Sequence, residues 1–225
     1  MERNEKLEML TTLVGELGFS CDDVVNYWKA SGKLETKPLQ NETVYQTPEK
    51  IMPGMFVYVD GLISSEIIEG RQIKAVVGSV NGSDVLAVCL QEACLPWSSD
   101  WLEAKATQKM TGGKDATRKL LEISRNKRQE AEAARWCYDY AEDGVKQGEA
   151  FLPSVTELKE LFVHQDAINA SLNALGAALL DDWYWSSTEY SNDYAWRLGM
   201  SDGNRNAGNK DSNFRDVRPV LALKL

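Results

Sequence analysis

A single histidine, His164, serves all 225 residues, and that scarcity removes much ordinary site chemistry. The four cysteines (Cys21, Cys89, Cys94 and Cys137) include no CxxC pair, so the sequence offers no Cys/His ligand set for zinc and no metal site is expected. A Ser-His-Asp triad would have to recruit His164, which falls at the end of a predicted helix with no nucleophile nearby. No GxSxG, HExxH, Walker or GxGxxG pattern occurs, and neither catalysis nor a cofactor is expected. No apolar run approaches the roughly 20 residues of a membrane span. Positive charge is short too: 25 Lys+Arg against 34 Asp+Glu give a formal charge of -9. That balance argues against nucleic acid, whose binding rests on neutralised phosphates. The opening MERNEKLEML has no apolar signal core, so synthesis in the cytoplasm without a signal peptide, and reduced thiols, are expected. The pairs Asp22-Asp23 and Asp181-Asp182 read as helix caps or solvated loops rather than calcium ligands.

What is present is ordinary globular material, 43% hydrophobic and 26% charged. Leu7, Leu10, Val14 and Leu17 make an apolar stripe, and Ser20 with Asp23 reads as a capping box before a second helix ending at Gly32. This helical extension suits docking onto the rest of the chain, or a small bundle forming a homo-oligomer. A polar stretch with Pro38, Pro48 and Pro53 follows, placing a domain boundary near residue 50. Strands are predicted over Met55–Asp60 and Leu62–Ile68, with an Asp60-Gly61 turn between them. IKAVVGSV and DVLAVCL, joined by Asn81-Gly82, read as a hairpin. Helical patterns fill about Asp115 to Asp143, where Ala134, Cys137, Tyr138 and Ala141 share a face. In FLPSVTELKELF, Ser154 and Glu157 form a capping box, and a shorter helix runs from about Ala167 to Leu175, ending at Gly176. Strands and loops resume from Asp181. Hairpins, then helices, then strands indicate an α+β fold.

The tail departs from this pattern. Residues 183–225 hold six Lys/Arg and five Asp/Glu, so the acidity lies elsewhere. RLGMSDGNRNAGNKDSNFRD (Arg197 to Asp216) is poor in apolar side chains, yet YWSSTEY and VRPVLAL on either side of it are built for a core. Trp196, Leu198 and Met200 alternate with Arg197, Gly199 and Ser201, which predicts a strand with the first set inward and the second outward. Val217, Pro219, Leu221 and Leu223 repeat the alternation. The stretch between has the composition of tight turns.

FLPSVTEL, YWSSTEYSNDYAW, SDGN and VRPVLAL together resemble the C-type-lectin-like domains of the Fibrobacter-type major paralogous family. They look especially like the variable proteins that retroelements diversify in gut bacteria and their phages. The resemblance spans about Met52 to Leu225 and implies a C-type-lectin-like fold, with mixed or antiparallel sheets and flanking helices, over residues 51–225. It implies display: a fixed scaffold presents a variable patch, about residues 190–217, to a protein or cell-surface ligand. By the same resemblance Trp185, Ser186, Ser187, Glu189, Trp196, Lys210 and Val217 to Val220 are scaffold. The implied ligand-facing positions are Asn192, Asp193, Tyr194, Arg197, Gly199, Ser201, Asn204, Asn206, Ala207, Gly208, Asp211, Asn213, Phe214 and Arg215.

Such diversification acts at adenines, often in Asn codons, and an AAY codon changed at its first two bases never yields Lys, Glu, Gln, Met or Trp. Of those five types only Met200 and Lys210 occur between Arg197 and Asp216. For each Asn and Gly the competing reading is a turn residue; for Arg197, Phe214 and Arg215 that reading is weaker, because such side chains anchor interfaces. The EPN and WND sugar motifs are absent, so the resemblance does not imply calcium-dependent sugar binding. The cysteine pair of the related formylglycine-generating enzymes is not carried over to Cys89 and Cys94. The alternatives are a fixed structural or carbohydrate-binding lectin-like domain, or an enzyme using a pocket beneath the tail. Incorporation into a phage particle is the expected route outward under the display reading.

Overall fold

The computed structural model describes residues 50–224. The chain divides into two compact units, Met1–Val44 and Tyr45–Leu225. The N-terminal helices and the homo-oligomer expected of them lie outside the described residues.

Two sheets and four α-helices make up the described region, an α+β architecture. The first sheet joins β1 (Phe56–Tyr58), β2 (Ile63–Ser64), β3 (Ile73–Asn81), β4 (Asp84–Cys89), β6 (Ala150–Phe151) and β11 (Val220–Lys224) in the order β2-β1-β3-β4-β11-β6. All its pairings are antiparallel. The second joins β5 (Ala93–Leu95), β7 (Trp183–Glu189), β8 (Tyr194–Gly199), β9 (Arg205–Asn209) and β10 (Arg215–Val217) in the order β5-β10-β7-β8-β9. There β10 runs parallel to β7 and the other neighbours are antiparallel.

Register sets the cores. Phe56, Val76, Val88, Val220 and Phe151 stand in one row across the first sheet, and paired residues point to the same side. That side is buried against α3 (Val155–Val163) and α4 (Gln165–Ala174), and against Tyr184 and Leu198 from the second sheet. The opposite side, with Val57, Ala75, Val77, Ala87 and Leu221, packs with Tyr140 and Val145. A third core lies on the other face of the second sheet, where Trp185, Ala195 and Val217 meet Trp97 and residues of α1 (Gly113–Lys127) and α2 (Glu132–Asp139). Each buried indole finds an acceptor, Trp97 on the Ser186 carbonyl (2.8 Å) and Trp185 on that of Leu95 (3.1 Å).

Three local expectations are corrected. The hairpin pairing continues to Asn81↔Asp84, so its two-residue loop is Gly82-Ser83, with Gly82 at φ +63° rather than Asn81 at the bend. Only Ile63–Ser64 of the expected Leu62–Ile68 strand pairs. The Tyr58 hydroxyl diverts the remainder, donating to the Glu66 carbonyl and accepting from the Ile68 N–H, both at 2.8 Å. Ala141 leaves the face of Ala134 and Cys137, because α2 stops at Asp139 and the chain turns outward.

The capping box does more than start one helix. Ser154 Oγ accepts from the Glu157 N–H (3.2 Å), while a Glu157 carboxylate oxygen accepts from Ser154 N–H (2.7 Å). The same oxygen accepts from Gly113 N–H (2.9 Å), so it also holds the first residue of α1. Ser154 Oγ in turn donates to the Thr111 carbonyl (2.5 Å). Ser154→Ala removes the cap and leaves that carbonyl unpartnered, with an expected loss of about 2 kcal/mol in urea unfolding. A loss below ~0.5 kcal/mol would mean that the box carries no weight here.

Candidate functional site

The candidate residues hang on a frame with a charged interior. Glu189 ends β7 and Lys210 follows β9; their side chains are fully buried and paired at 2.7 Å. The ammonium also donates to the carbonyls of Leu102 and Asn192, each at 2.8 Å, so all three N–H groups are used. The carboxylate accepts from Ala104 N–H (2.6 Å) and from the Gln108 amide (2.9 Å). The ammonium lies 4.8 Å from the centre of the Trp97 ring. Burial lowers the Lys210 pKa, with Glu189 acting in opposition.

Arg218 makes a second buried clamp. It donates to the carbonyls of Cys89, Leu90 and Ala178 and to the Glu92 carboxylate (2.6 Å), which also bonds the Tyr184 hydroxyl. Of the residues expected to be scaffold, Trp185, Ser186, Ser187, Glu189, Lys210 and Val217 to Val220 are all buried. Trp196 differs. It is half-buried, with Arg205 stacked on its ring at 4.0 Å and Tyr190 edge-on at 4.6 Å. Tyr194, Trp196 and Leu198 share one face of β8 but pass from exposed to half-buried to fully buried, because the outer end of the strand extends past the core.

The fourteen ligand-facing candidates separate into four environments. Asn192, Asp193, Tyr194, Ser201, Asn206 and Phe214 are exposed. Asn192–Tyr194 and Asp211–Phe214 lie beside each other at one end of the sheet, joined through Lys210 N–H to the Asp193 carbonyl (3.1 Å) and the Tyr194↔Asn209 register. Ser201 lies at the opposite end of β8. Arg197, Ala207, Asp211 and Arg215 are half-buried, with Ala207 across from Trp196 and Arg197 across from both Trp185 and Asn206. Asn204 and Asn213 are occupied as turn residues: Asn204 donates twice to the Asp202 carboxylate, and Asn213 accepts from Asn209 N–H (2.9 Å). Gly199 and Gly208 do not point outward as expected. Both are buried, and a Cβ on Gly208 would lie 2.5 Å from the Trp185 ring.

The electrostatics are uneven. Asn204 holds the Asp202 carboxyl below the usual range. Asp216 is pushed up to about 6, by burial first, then by Glu92 and Asp182, against the pull of Arg218. Arg197 is lowered by burial and by the charge of Arg215. Sequence reasoning missed Arg205 and Trp183, which stack against Trp196 and Arg197 respectively. The period-two pattern of β9, which puts Arg205 and Ala207 on one face and Asn206 and Gly208 on the other, was the available signal.

Elsewhere, His164 joins α3 to α4, half-buried. Cys89, Cys94 and Cys137 are free thiols, and burial pushes Cys89 and Cys137 upward in pKa. A depression of about 620 Å³ lined by Ser79, Glu160, Lys114 and Lys224 includes none of the candidates. Among the described residues no group of three or more His, Cys, Asp or Glu is placed to hold a metal, and no helix is long and apolar enough to cross a membrane.

No protein-family model matches the sequence, and no curated protein does. The fold is similar to the crystal structure of a fimbrial protein from Bacteroides ovatus, with a TM-score of 0.63 at 14% identity. The alignment covers 77% of this chain and 49% of that one, so this chain spans about half its length.

Two predictions test the frame. Lys210→Met strands a buried carboxylate and is expected to cost about 3–5 kcal/mol in denaturant unfolding, partly recovered by adding Glu189→Gln. A loss under ~1 kcal/mol would show that the pair does not hold the frame. For Asp216 the folded pKa of about 6 exceeds the unfolded value near 3.9, so the folded state binds the proton more tightly. Its contribution is therefore full below about pH 4 and lost as pH rises through 6. Asp216→Asn is expected to stabilise by about 1 kcal/mol at pH 7, reduced by solvent screening at a half-buried site, and by nothing at pH 4. A gain equal at both pH values would contradict this assignment.

Proposed function

We propose that this chain is a non-enzymatic binding protein whose second sheet, at the β7–β8 turn and the β9–β10 loop, presents a diversified surface to a protein or cell-surface ligand. On this reading residues 51–225 form a C-type-lectin-like domain of the retroelement-diversified kind. The observation that carries it is the separation of roles. Asn192, Asp193, Tyr194, Asn206 and Phe214 reach solvent, while the polar groups that fix their backbone, Glu189 and Lys210, are wholly buried. Chemistry at the exposed positions can then change without entering the frame. Phe214 and Tyr194 are the anchors, being large, apolar in body and 55% and 41% exposed. That the structural neighbour is a fimbrial protein is consistent with a setting outside the cell, reached in a phage particle or on a surface fibre.

A second reading has its own observation. Tyr190 and Arg205, both exposed, pack on the half-buried Trp196 ring, a partly exposed aromatic cluster that suits stacking on a sugar ring by a fixed, undiversified domain.

The neighbouring DNA separates the two. Diversification requires a reverse-transcriptase gene and an imperfect repeat of the codons for residues 190–217 that differs only at adenines; a locus without either leaves the fixed domain. In the protein, replacing Asn192, Asp193, Asn206 and Phe214 together by Ser is expected to move Tm by no more than ~2 °C, whereas Gly208→Asn lowers it by about 5 °C or more. The reverse order of effects would place the exposed set in the core and end the display reading.

A further inference from the structure

Arg197 and Arg215 bring two guanidinium groups to one side of the second sheet. Arg197 stands across from Trp185, and Val217, two residues beyond Arg215, shares the Trp185 core. The two charges are close enough that Arg215, after burial, lowers the Arg197 pKa. Trp183 supports Arg197 from one face, with its ring centre 4.8 Å from the guanidinium carbon. That stacking leaves the N–H groups at the guanidinium edge for an acceptor in its plane. None is there: Nε and Nη1 of Arg197 and Nε of Arg215 are buried without a hydrogen-bond acceptor. Arg215 Nη1 reaches only the Phe214 carbonyl (2.7 Å). Among the described residues neither arginine enters an ion pair. Asp202, on the next turn, already accepts two hydrogen bonds from Asn204.

Arg218 shows the contrast within the same chain. Where an arginine has only to hold the fold, it reaches three carbonyls and a carboxylate and leaves Nε alone unpaired. Two neighbouring cations with three unpaired buried nitrogens are costly by themselves, since each such donor forfeits its water without replacement. An anion between them removes both the repulsion and the deficit.

We propose that Arg197 and Arg215, with the exposed amide of Asn206 across from Arg197, receive an oxyanion (a carboxylate, sulfate or phosphate) carried by an acidic ligand. This rests on reading the second sheet as the ligand-facing surface and states what chemistry that surface takes. Guanidinium forks match the two oxygens of such groups, and Phe214 beside Arg215 adds an apolar contact at the rim.

The test uses the full chain titrated with sodium sulfate, sodium phosphate and sodium acetate, against sodium chloride at matched ionic strength. Tryptophan fluorescence reports on Trp183, and melting temperature reports on linkage. Saturable binding with Kd of roughly 0.1–10 mM and a rising Tm is expected for oxyanions but not for chloride. Arg197→Gln and Arg215→Gln are each expected to weaken binding tenfold or more, and neither should melt below the parent, because each relieves a repulsion. Arg197→Lys keeps the charge without the fork and is expected to lose most of the affinity. Stronger acetate than sulfate binding identifies a carboxylate partner; the opposite order identifies a sulfated or phosphorylated one. Equal responses to chloride, or unchanged binding in the double Gln variant, would overturn the proposal. No partner is needed, so failure here with the adenine-differing repeat present removes the anion receptor alone. Oxyanion binding without that repeat removes diversification alone.

Discussion

The buried pair of Glu189 and Lys210 is the constraint on which the second sheet depends. Two ions taken wholly out of water must be paired and hydrogen-bonded on every side, or the desolvation cost exceeds the attraction. Here each N–H of Lys210 and both oxygens of Glu189 have partners, drawn from four separated pieces of chain: the 102–108 segment, the end of β7, the turn at Asn192 and the residue after β9. Meeting that requirement fixes where the β7–β8 turn and the β9–β10 loop lie. The exposed residues of those loops therefore inherit their positions from buried polar chemistry rather than from their own contacts.

The same logic explains why the composition of the Arg197 to Asp216 stretch is no obstacle to folding. Its loops are closed by side-chain to backbone bonds of the Asn and Asp type. Asn209 Oδ1 accepts from Asp211 N–H, Ser212 N–H and the Ser212 hydroxyl, and Asp202 does comparable work for Asn204. Gly203, at φ +68° with a Cβ position 2.5 Å from the Phe162 ring, sets the turn against the side of α3. Few apolar residues are needed within it, because its own Leu198 and Met200 are joined in the cores by Tyr184 and Trp185 of the neighbouring β7.

Much of this was legible in the residues. The Ser154–Glu157 box, the β3–β4 hairpin and the strand character of the tail follow from local spacing, and spacing is a local property. What stayed hidden depends on partners distant in sequence. Nothing near Gly113 indicates that Glu157 will cap it, and nothing in YWSSTEY reveals that β10 will run parallel to β7. Alternation put Leu198 and Arg197 on opposite faces of β8, but it read the Arg197 face as outward, whereas Ala195 on that face joins the third core and Gly199 is buried. Depth along the strand is set by where each core ends. So Trp196, read as buried with Leu198, lies at the boundary and is covered by Arg205 and Tyr190 instead. Gly199 and Gly208 failed for a related reason, since a glycine on an outward face can be there to admit a neighbouring indole.

The packing around Gly208 limits which positions of this frame can carry a side chain at all. Position 208 lies between exposed Asn206 and buried Lys210, yet any side chain there must displace the ring of Trp185, whose indole nitrogen is tied to the Leu95 carbonyl. A rigid tryptophan held at both ends does not move aside cheaply. Substitution there would reach the third core and the Arg197 side chain together, because the same Cβ position is 3.1 Å from Arg197 Cδ. Freedom at the surface thus ends one residue from each buried anchor. Apart from Ser201 at the far end of β8, the exposed candidates are confined to the turn at Asn192–Tyr194, the strand face at Asn206 and the loop at Phe214.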